Sequence, residues 1–105
     1  MKNLNIEIGE YLRNLRKQGN ETLHQLAIET DIDSPMLSKL ERGVRLPTDS
    51  QLERLAMHYK ISIFSLKTMN TAQKIIKDYG ENKNTYAAIQ MVSEKLAKYK
   101  TNFKT

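Results

Sequence analysis

Apolar side chains recur every three or four residues along the first two thirds of the chain, which predicts a series of amphipathic helices. The stripe behind Thr48 matches the helical spacing at every position: Leu52, Leu55, Ala56 and Tyr59. Comparable patterns predict a first helix over 6–18, a second from 22 to the polar residues 30–33 and a third over 34–42. A fourth helix is predicted from 48 and a short fifth helix from 62. No alternating run of β-branched residues predicts a strand. The fold class predicted for residues 1–67 is therefore an all-α bundle of five helices.

The stretch from Thr22 to Gly43 has the start and stop signals of two short helices joined by a tight turn. Thr22 with Gln25 and Thr48 with Gln51 each show the pattern of a capping box, and Gly43 is typical of the position just after a helix. Helices this short cannot bury their own apolar faces and need flanking helices. The outer side of the second helix carries residues unsuited to a core: Ser34, Pro35, Ser38, Lys39 and Arg42. This combination indicates a helix-turn-helix.

The last third of the chain, residues 68–105, is predicted to form a helical extension. One helix is expected from about Thr71 to Tyr79, closed by Gly80, and a second begins near Thr85. On the second helix, apolar residues are spaced 3, 4, 3 and 4 positions apart, as in a heptad seam: Ile89, Val92, Leu96, Tyr99 and Phe103. Two heptads are fewer than a coiled coil needs. The seam therefore either packs against the chain's own bundle or forms a contact with another chain.

Composition narrows the function classes without selecting one. The 105 residues contain no Cys, so disulfides and thiolate metal sites are excluded. No N-terminal apolar run has the pattern of a signal peptide and no stretch approaches a membrane span, so we expect a cytoplasmic protein without membrane contact. The net charge is +5, but residues 1–66 carry nine basic and nine acidic side chains, and the excess lies in the extension. Net charge is thus weak support for nucleic-acid binding.

Patterns typical of catalysis and metal binding are missing from the sequence. His24 and His58 lie on separate predicted helices without the spacing of a zinc site. Ser34 and Ser38 lack the neighbouring base that nucleophilic catalysis needs. The four glycines form no phosphate-binding loop. We expect no enzyme activity, no metal and no cofactor.

Residues 8–63 resemble the lambda-repressor-like, XRE/Cro-type helix-turn-helix family of DNA-binding transcriptional regulators. The most specific part is the run Leu-Ser-Lys-Leu-Glu-Arg-Gly at 37–43, ten residues after the pair Leu26-Ala27. The other matching positions are Leu12, Arg16, Ile32, Pro47, Leu52, Leu55 and Ala56. The resemblance implies an all-α, five-helix lambda-repressor-like bundle, with residues 68–105 as a two-helix extension.

The resemblance also implies roles for individual residues. The helix over 34–42 would lie in the major groove, with the preceding helix crossing the phosphate backbone. The residues implied to face bases are Ser34, Pro35, Ser38 and Lys39, and those implied to contact phosphate are Thr22, Leu23, Arg42 and Arg45. Arg16 and Glu41 would form a structural, largely buried ion pair.

Two positions depart from the family pattern. Leu23 stands where Gln is common, and Leu cannot form the hydrogen bond to phosphate that Gln forms. Pro35 disfavours helical geometry at the residue before it, so Ser34 is expected to be the N-cap and Pro35 the first helical residue. Lys39 is then the strongest direct reader, because it can donate to guanine O6 and N7.

The sequence therefore predicts a bacterial, sequence-specific DNA-binding transcriptional regulator that acts as a homodimer, with repression as the commonest outcome. The contact with the second copy or a partner protein is expected at Ile89, Val92, Leu96 and Tyr99. The alternative is an antitoxin or a restriction-modification-associated regulator whose C-terminal helices bind a protein partner.

Overall fold

A computed structural model describes residues 7–99, and all regular structure in that range is helical. The helices are α1 (Ile8–Gln18), α2 (Leu23–Thr30), α3 (Ser34–Glu41), α4 (Asp49–Tyr59), α5 (Ile63–Tyr79) and α6 (Lys83–Leu96), followed by the 3-10 turn Ala97–Tyr99. The predicted all-α class is confirmed for this part of the chain. The chain divides into two compact units, the first ending at Lys74 and the second starting at Ile75, so the division falls within α5.

The first unit is built around an aliphatic core to which each of its five helices contributes. Its buried members are Ile8, Leu12, Leu26, Ile32, Leu37, Leu40, Leu52, Leu55, Ala56 and Leu66. Full burial of one such Leu or Ile side chain is worth roughly 1.5–3 kcal/mol. Short helices such as α2 and α3, at eight residues each, are therefore stabilised mainly by this shared core.

Helix ends in the first unit follow the sequence signals, with one exception. Both predicted capping boxes are confirmed, because Thr22 and Thr48 accept from the backbone N–H three residues on while the Gln there bonds back to the cap. Gly43 is also confirmed as the left-handed residue after α3, with φ +76. The prediction that Ser34 caps α3 is wrong: the Asp33 carboxylate accepts from the Met36 N–H at 2.8 Å.

The start of α3 is displaced by one residue because Pro is tolerated anywhere in the first turn of a helix. The first-turn N–H groups have no intrahelical acceptor, so Pro35 costs no hydrogen bond at the second helical position. An Asp33 cap also places a negative charge at the positive end of the helix dipole. The Ser34 hydroxyl is consequently free of the capping role that the sequence analysis assigned to it.

Helix α5 is continuous, so the predicted break between a short fifth helix and a helix from Thr71 is wrong. No Gly or Pro interrupts residues 63–79. Two polar side chains in its middle bind the backbone of the first unit: Asn70 Nδ2 donates to the Pro47 carbonyl at 3.2 Å, and Gln73 Oε1 accepts from the Ile8 N–H at 2.7 Å. These two hydrogen bonds fix the middle of α5 to the loop before α4 and to the start of α1.

The second unit consists of the end of α5, a turn at Gly80 (φ +87) and α6. Asn82 caps α6 by accepting from the Thr85 N–H at 2.9 Å, so the helix starts at Lys83, two residues before Thr85. The Thr85 hydroxyl, which is buried, donates to the Tyr79 carbonyl at 3.1 Å. Phe103, the last residue of the predicted seam, lies outside the described residues. Within residues 7–99, no helix is long and apolar enough to cross a membrane.

Candidate nucleic-acid interface

Arg54 of α4 forms hydrogen bonds to the backbone of the turn between α2 and α3. Asp31 adopts the left-handed conformation at the end of α2 (φ 59), and the following Ile32 is buried. Arg54 donates from Nη1 to the Asp31 carbonyl at 2.8 Å and to the Thr30 carbonyl at 3.3 Å. These are carbonyls that the end of α2 leaves without intrahelical donors. The sequence carries no signal for this role of Arg54, because the contact spans more than twenty positions and has no local pattern.

The outer face of α3 combines exposed and half-buried residues. Leu37 and Leu40 are 2% and 1% exposed, and they fix which side of the helix faces outward. Among the four predicted base-facing residues, Pro35 and Lys39 are exposed, whereas Ser34 and Ser38 are half-buried. Ser38 Oγ accepts from Arg42 Nε at 3.2 Å. The structure therefore gathers all four on one short helix, and their contact with DNA stays a prediction.

The predicted phosphate contacts come from the start of α2 and from the end of α3 with the loop that follows it. Thr22 is exposed, but its hydroxyl and backbone N–H are both engaged in the capping box with Gln25. Leu23 packs partly against the core and presents no polar side chain. Arg42, at the C-cap of α3, and Arg45, in the following loop, are exposed. A side-chain contact to phosphate can thus come from the two arginines, and a backbone contact from the start of α2.

Arg16 and Glu41 join α1 to α3 through two hydrogen bonds. Arg16 Nε donates to Glu41 Oε2 at 2.7 Å and Nη2 donates to Oε1 at 3.0 Å. The two side chains are only 12% and 6% exposed. Arg16 Nη1 also donates to the Glu21 carbonyl at 2.8 Å. The hydrogen bonds that Arg16 donates to Glu41 raise the pKa of Arg16, so the guanidinium stays charged.

A second polar cluster ties the end of α4 to the loop before α2. The Glu21 carboxylate accepts from the Tyr59 hydroxyl at 3.0 Å and lies 2.6 Å from His58 Nε2. Burial, followed by this hydrogen bond, raises the pKa of the Tyr59 hydroxyl above its usual value of 10.0. His58 is therefore a packing residue in contact with a carboxylate. Within residues 7–99, no group of three or more His, Asp or Glu side chains could hold a metal ion.

The residues predicted to contact another chain are partly exposed on α6 and the 3-10 turn. Ile89, Val92, Leu96 and Tyr99 are between 41% and 51% exposed. Ile89 and Val92 also line a groove of about 310 Å³ within the second unit, together with Ile75, Tyr79, Asn84, Thr85 and Ala88. Two large side chains beside the predicted seam are more exposed than its members: Tyr86 at 68% and Met91 at 73%.

Comparison with known proteins places the first unit in a described family. Residues 7–63, more than half of the chain, match the family described as "Helix-turn-helix domain". Two curated proteins of Mycobacterium tuberculosis, from strains CDC 1551 / Oshkosh and ATCC 25618 / H37Rv, are each named an uncharacterized HTH-type transcriptional regulator. Both are 32% identical over 54 residues, which is 51% of this chain and 39% of the relative, so the chain spans about two fifths of their length. No solved structure matches the chain significantly.

Proposed function

Because the chain belongs to the helix-turn-helix domain family, we propose that it is a transcriptional regulator that reads a specific DNA sequence with α3. The observation that carries this proposal is the orientation of α3. Its two leucines are buried and its Ser, Pro and Lys side chains line the outward face. That face belongs to the region matched by the family. The printed names of the two relatives agree with a role in transcription.

In the proposed complex, the first unit has the lambda-repressor-like layout. Helix α3 lies in the major groove and α2 crosses the phosphate backbone. The proposed base-facing residues are Ser34, Pro35, Ser38 and Lys39. The proposed phosphate contacts are Arg42, Arg45 and the backbone N–H of Leu23, since the Thr22 N–H is bonded to Gln25. Lys39 donates to guanine, Pro35 contacts apolar base edges, and the unused Ser34 hydroxyl is a further hydrogen-bonding group. Specificity also depends on DNA shape, because few side chains reach the bases.

Replacing Lys39 by Ala is expected to remove preference for one guanine, a loss of roughly 1–3 kcal/mol in discrimination, because the Lys contact is made to a base edge. The measurement is selection of duplexes from a random pool, followed by titration of the selected duplex and its single-base variants. Arg42→Ala should weaken binding to all duplexes alike, as a phosphate contact does. Lys17→Ala, an exposed change on α1, is the control and should leave base preference unaltered. A folded Lys39→Ala protein with unchanged base preferences would show that α3 is not the reader.

We also propose that the regulator is a homodimer assembled through residues 68–105, with each copy presenting α3 to one half-site. Half-site centres would then lie about 34 Å apart or a multiple of that distance. Repression by occupying a promoter is the proposed outcome. Support comes from the partial exposure of Ile89, Val92, Leu96 and Tyr99 in the single chain, since apolar side chains in a heptad pattern are typical of helix–helix contacts.

The double change Ile89→Asp with Val92→Asp is expected to convert the dimer to a monomer, because it places charges in the apolar contact. Sedimentation equilibrium measures the mass. Ala87→Asp is the matched control, since Ala87 lies on the opposite face of α6 and is exposed. A dimer that persists in the double variant would place the contact elsewhere.

The alternative function is an antitoxin or a restriction-modification-associated regulator that binds a protein partner through residues 68–105. The exposure of Tyr86 and Met91 favours an apolar surface wider than a two-heptad seam. Under this alternative the unaltered chain is a monomer alone and forms a complex with the product of a neighbouring gene. The same sedimentation experiment, with and without that product, separates the two functions.

A further inference from the structure

A groove lies beside α3 in the first unit and is lined by side chains of three helices. It has a volume of about 410 Å³, and its walls are Arg13 and Arg16 of α1, Leu23 of α2, and Ser38, Glu41 and Arg42 at the end of α3. Three of its six residues are therefore arginines, and one is a carboxylate. The positive charge that the groove can offer to a ligand depends on which arginine the Glu41 carboxylate is paired with.

Glu41 is fully engaged by Arg16, which leaves the other two arginines of the groove without a carboxylate. Both Glu41 oxygens accept from Arg16, at 2.7 and 3.0 Å. Arg42 uses Nε to bond Ser38 Oγ, so its terminal amino groups remain available. Arg13 is exposed, and none of the residues 7–99 forms a hydrogen bond or ion pair with its guanidinium. Two exposed guanidinium groups thus line one groove, and neither is paired with a carboxylate among residues 7–99.

The start of α2 adds to the positive potential of this groove. The first bond of α2 is from Leu26 N–H to the Thr22 carbonyl, so the Leu23 N–H has no intrahelical acceptor. Leu23 lines the groove but its side chain cannot hydrogen-bond to an anion. The side chains that can bind an anion in this groove are therefore those of the arginines. Their forked donors match a phosphate, which presents several acceptor oxygens to two guanidinium groups at once.

We propose that this groove seats one backbone phosphate of bound DNA between Arg13 and Arg42, so that Arg13 is a further DNA-contacting residue. The inference rests on the DNA-binding function proposed above. It adds a contact from α1, a helix to which neither the sequence analysis nor the family resemblance assigned contact with DNA. Because a phosphate carries no sequence information, Arg13 contributes affinity and not base preference.

The test is the salt dependence of binding to a mixed-sequence DNA duplex, measured by fluorescence anisotropy over a range of NaCl concentrations. The proteins compared are the unaltered chain, Arg13→Gln, Arg42→Gln and the double variant. Lys77→Gln, which removes the same charge from the second unit, is the control. Thermal melting checks that every variant is folded. Arg13→Gln is expected to bind several-fold more weakly to the mixed-sequence duplex and to selected duplexes alike.

The slope of log affinity against log salt distinguishes one shared phosphate from two separate ones. Each neutralised phosphate contributes about 0.9 to this slope. The double variant should therefore lose about one unit of slope, and its loss of affinity should be smaller than the product of the two single losses. A loss of about two units, an Arg13→Gln protein that behaves like the Lys77 control, or a change in base preference would each overturn the proposal. Absence of DNA binding by the unaltered chain would overturn the proposed function as well.

Discussion

Replacing Glu41 by Ala is expected to destabilise the first unit by about 3–5 kcal/mol, because the change leaves a buried guanidinium without its counter-charge. Glu41 is 6% exposed and Arg16 12% exposed, so water cannot fully replace the carboxylate. Arg16 is also held in place by its bond to the Glu21 carbonyl, which prevents it from turning freely into solvent. At roughly 4–8 °C per kcal/mol for a domain of this size, the melting temperature should fall by well over 10 °C.

Thermal and urea denaturation monitored by circular dichroism measure this effect. Glu53→Ala is the matched control, since Glu53 pairs with Lys67 at 3.7 Å and the two side chains are 61% and 42% exposed. An exposed pair of this kind contributes about 0–1 kcal/mol. Should the Ala variant fail to fold, Glu41→Gln retains one acceptor and should show an intermediate loss. Equal melting temperatures for the Glu41 and Glu53 variants would show that the buried pair does not stabilise the fold.

Replacing Gly9 by Ala is expected to destabilise the first unit by at least about 1–3 kcal/mol, the usual cost of overpacking a filled site. A Cβ at this position would lie 2.3 Å from the Leu40 carbonyl oxygen and 2.7 Å from that of Glu41. Both neighbours are backbone atoms of α3, which cannot move aside as a flexible side chain can. Helix propensity alone would favour Ala over Gly by about 1 kcal/mol, so the close approach decides the sign.

Gly19→Ala provides the comparison for this substitution. Its Cβ would meet its nearest neighbours at 3.7 Å, an ordinary contact, and its φ of −89 suits any residue. Its free energy of unfolding should stay within about 0.5 kcal/mol of the unaltered chain. A Gly9→Ala protein as stable as the Gly19→Ala protein would mean that α1 and α3 can separate without loss.

Both predictions concern the same pair of helices. The contact of Gly9 with Leu40 and the ion pair between Arg16 and Glu41 together fix α3 against α1. Helix α3 carries the proposed reading face, so these buried contacts determine how that face is presented to DNA. A change in either should reduce DNA binding in proportion to the loss of folded protein, without altering base preference in the fraction that remains folded.

The sequence by itself determined the features that depend on local periodicity and local hydrogen bonding. Apolar residues at helical spacing identified α1 to α4 and the core positions on them, because only one face of a short helix can be buried. The capping boxes at Thr22 and Thr48 and the turn residue Gly43 were readable because their partners lie within four residues. The run at 37–43 indicated the family because it is a contiguous segment that can be recognised without knowledge of the fold.

Only the tertiary structure decided the features that depend on which distant groups meet. The roles of Gly9 and Arg54 depend on contacts between helices that are distant in sequence. Gly9 lets α1 lie close to the backbone of α3, and Arg54 of α4 binds a carbonyl of the turn after α2. Asp33 and Ser34 are both favourable N-cap residues, so the sequence did not decide which of them caps α3. The two possibilities differ by one residue in where the helix begins. Asn70 and Gln73, in the middle of α5, bind the backbone of Pro47 and Ile8, which lie more than twenty positions away. Arg13 joins the groove beside α3 through the same packing, since a pattern along one helix does not reveal the charges on its neighbours.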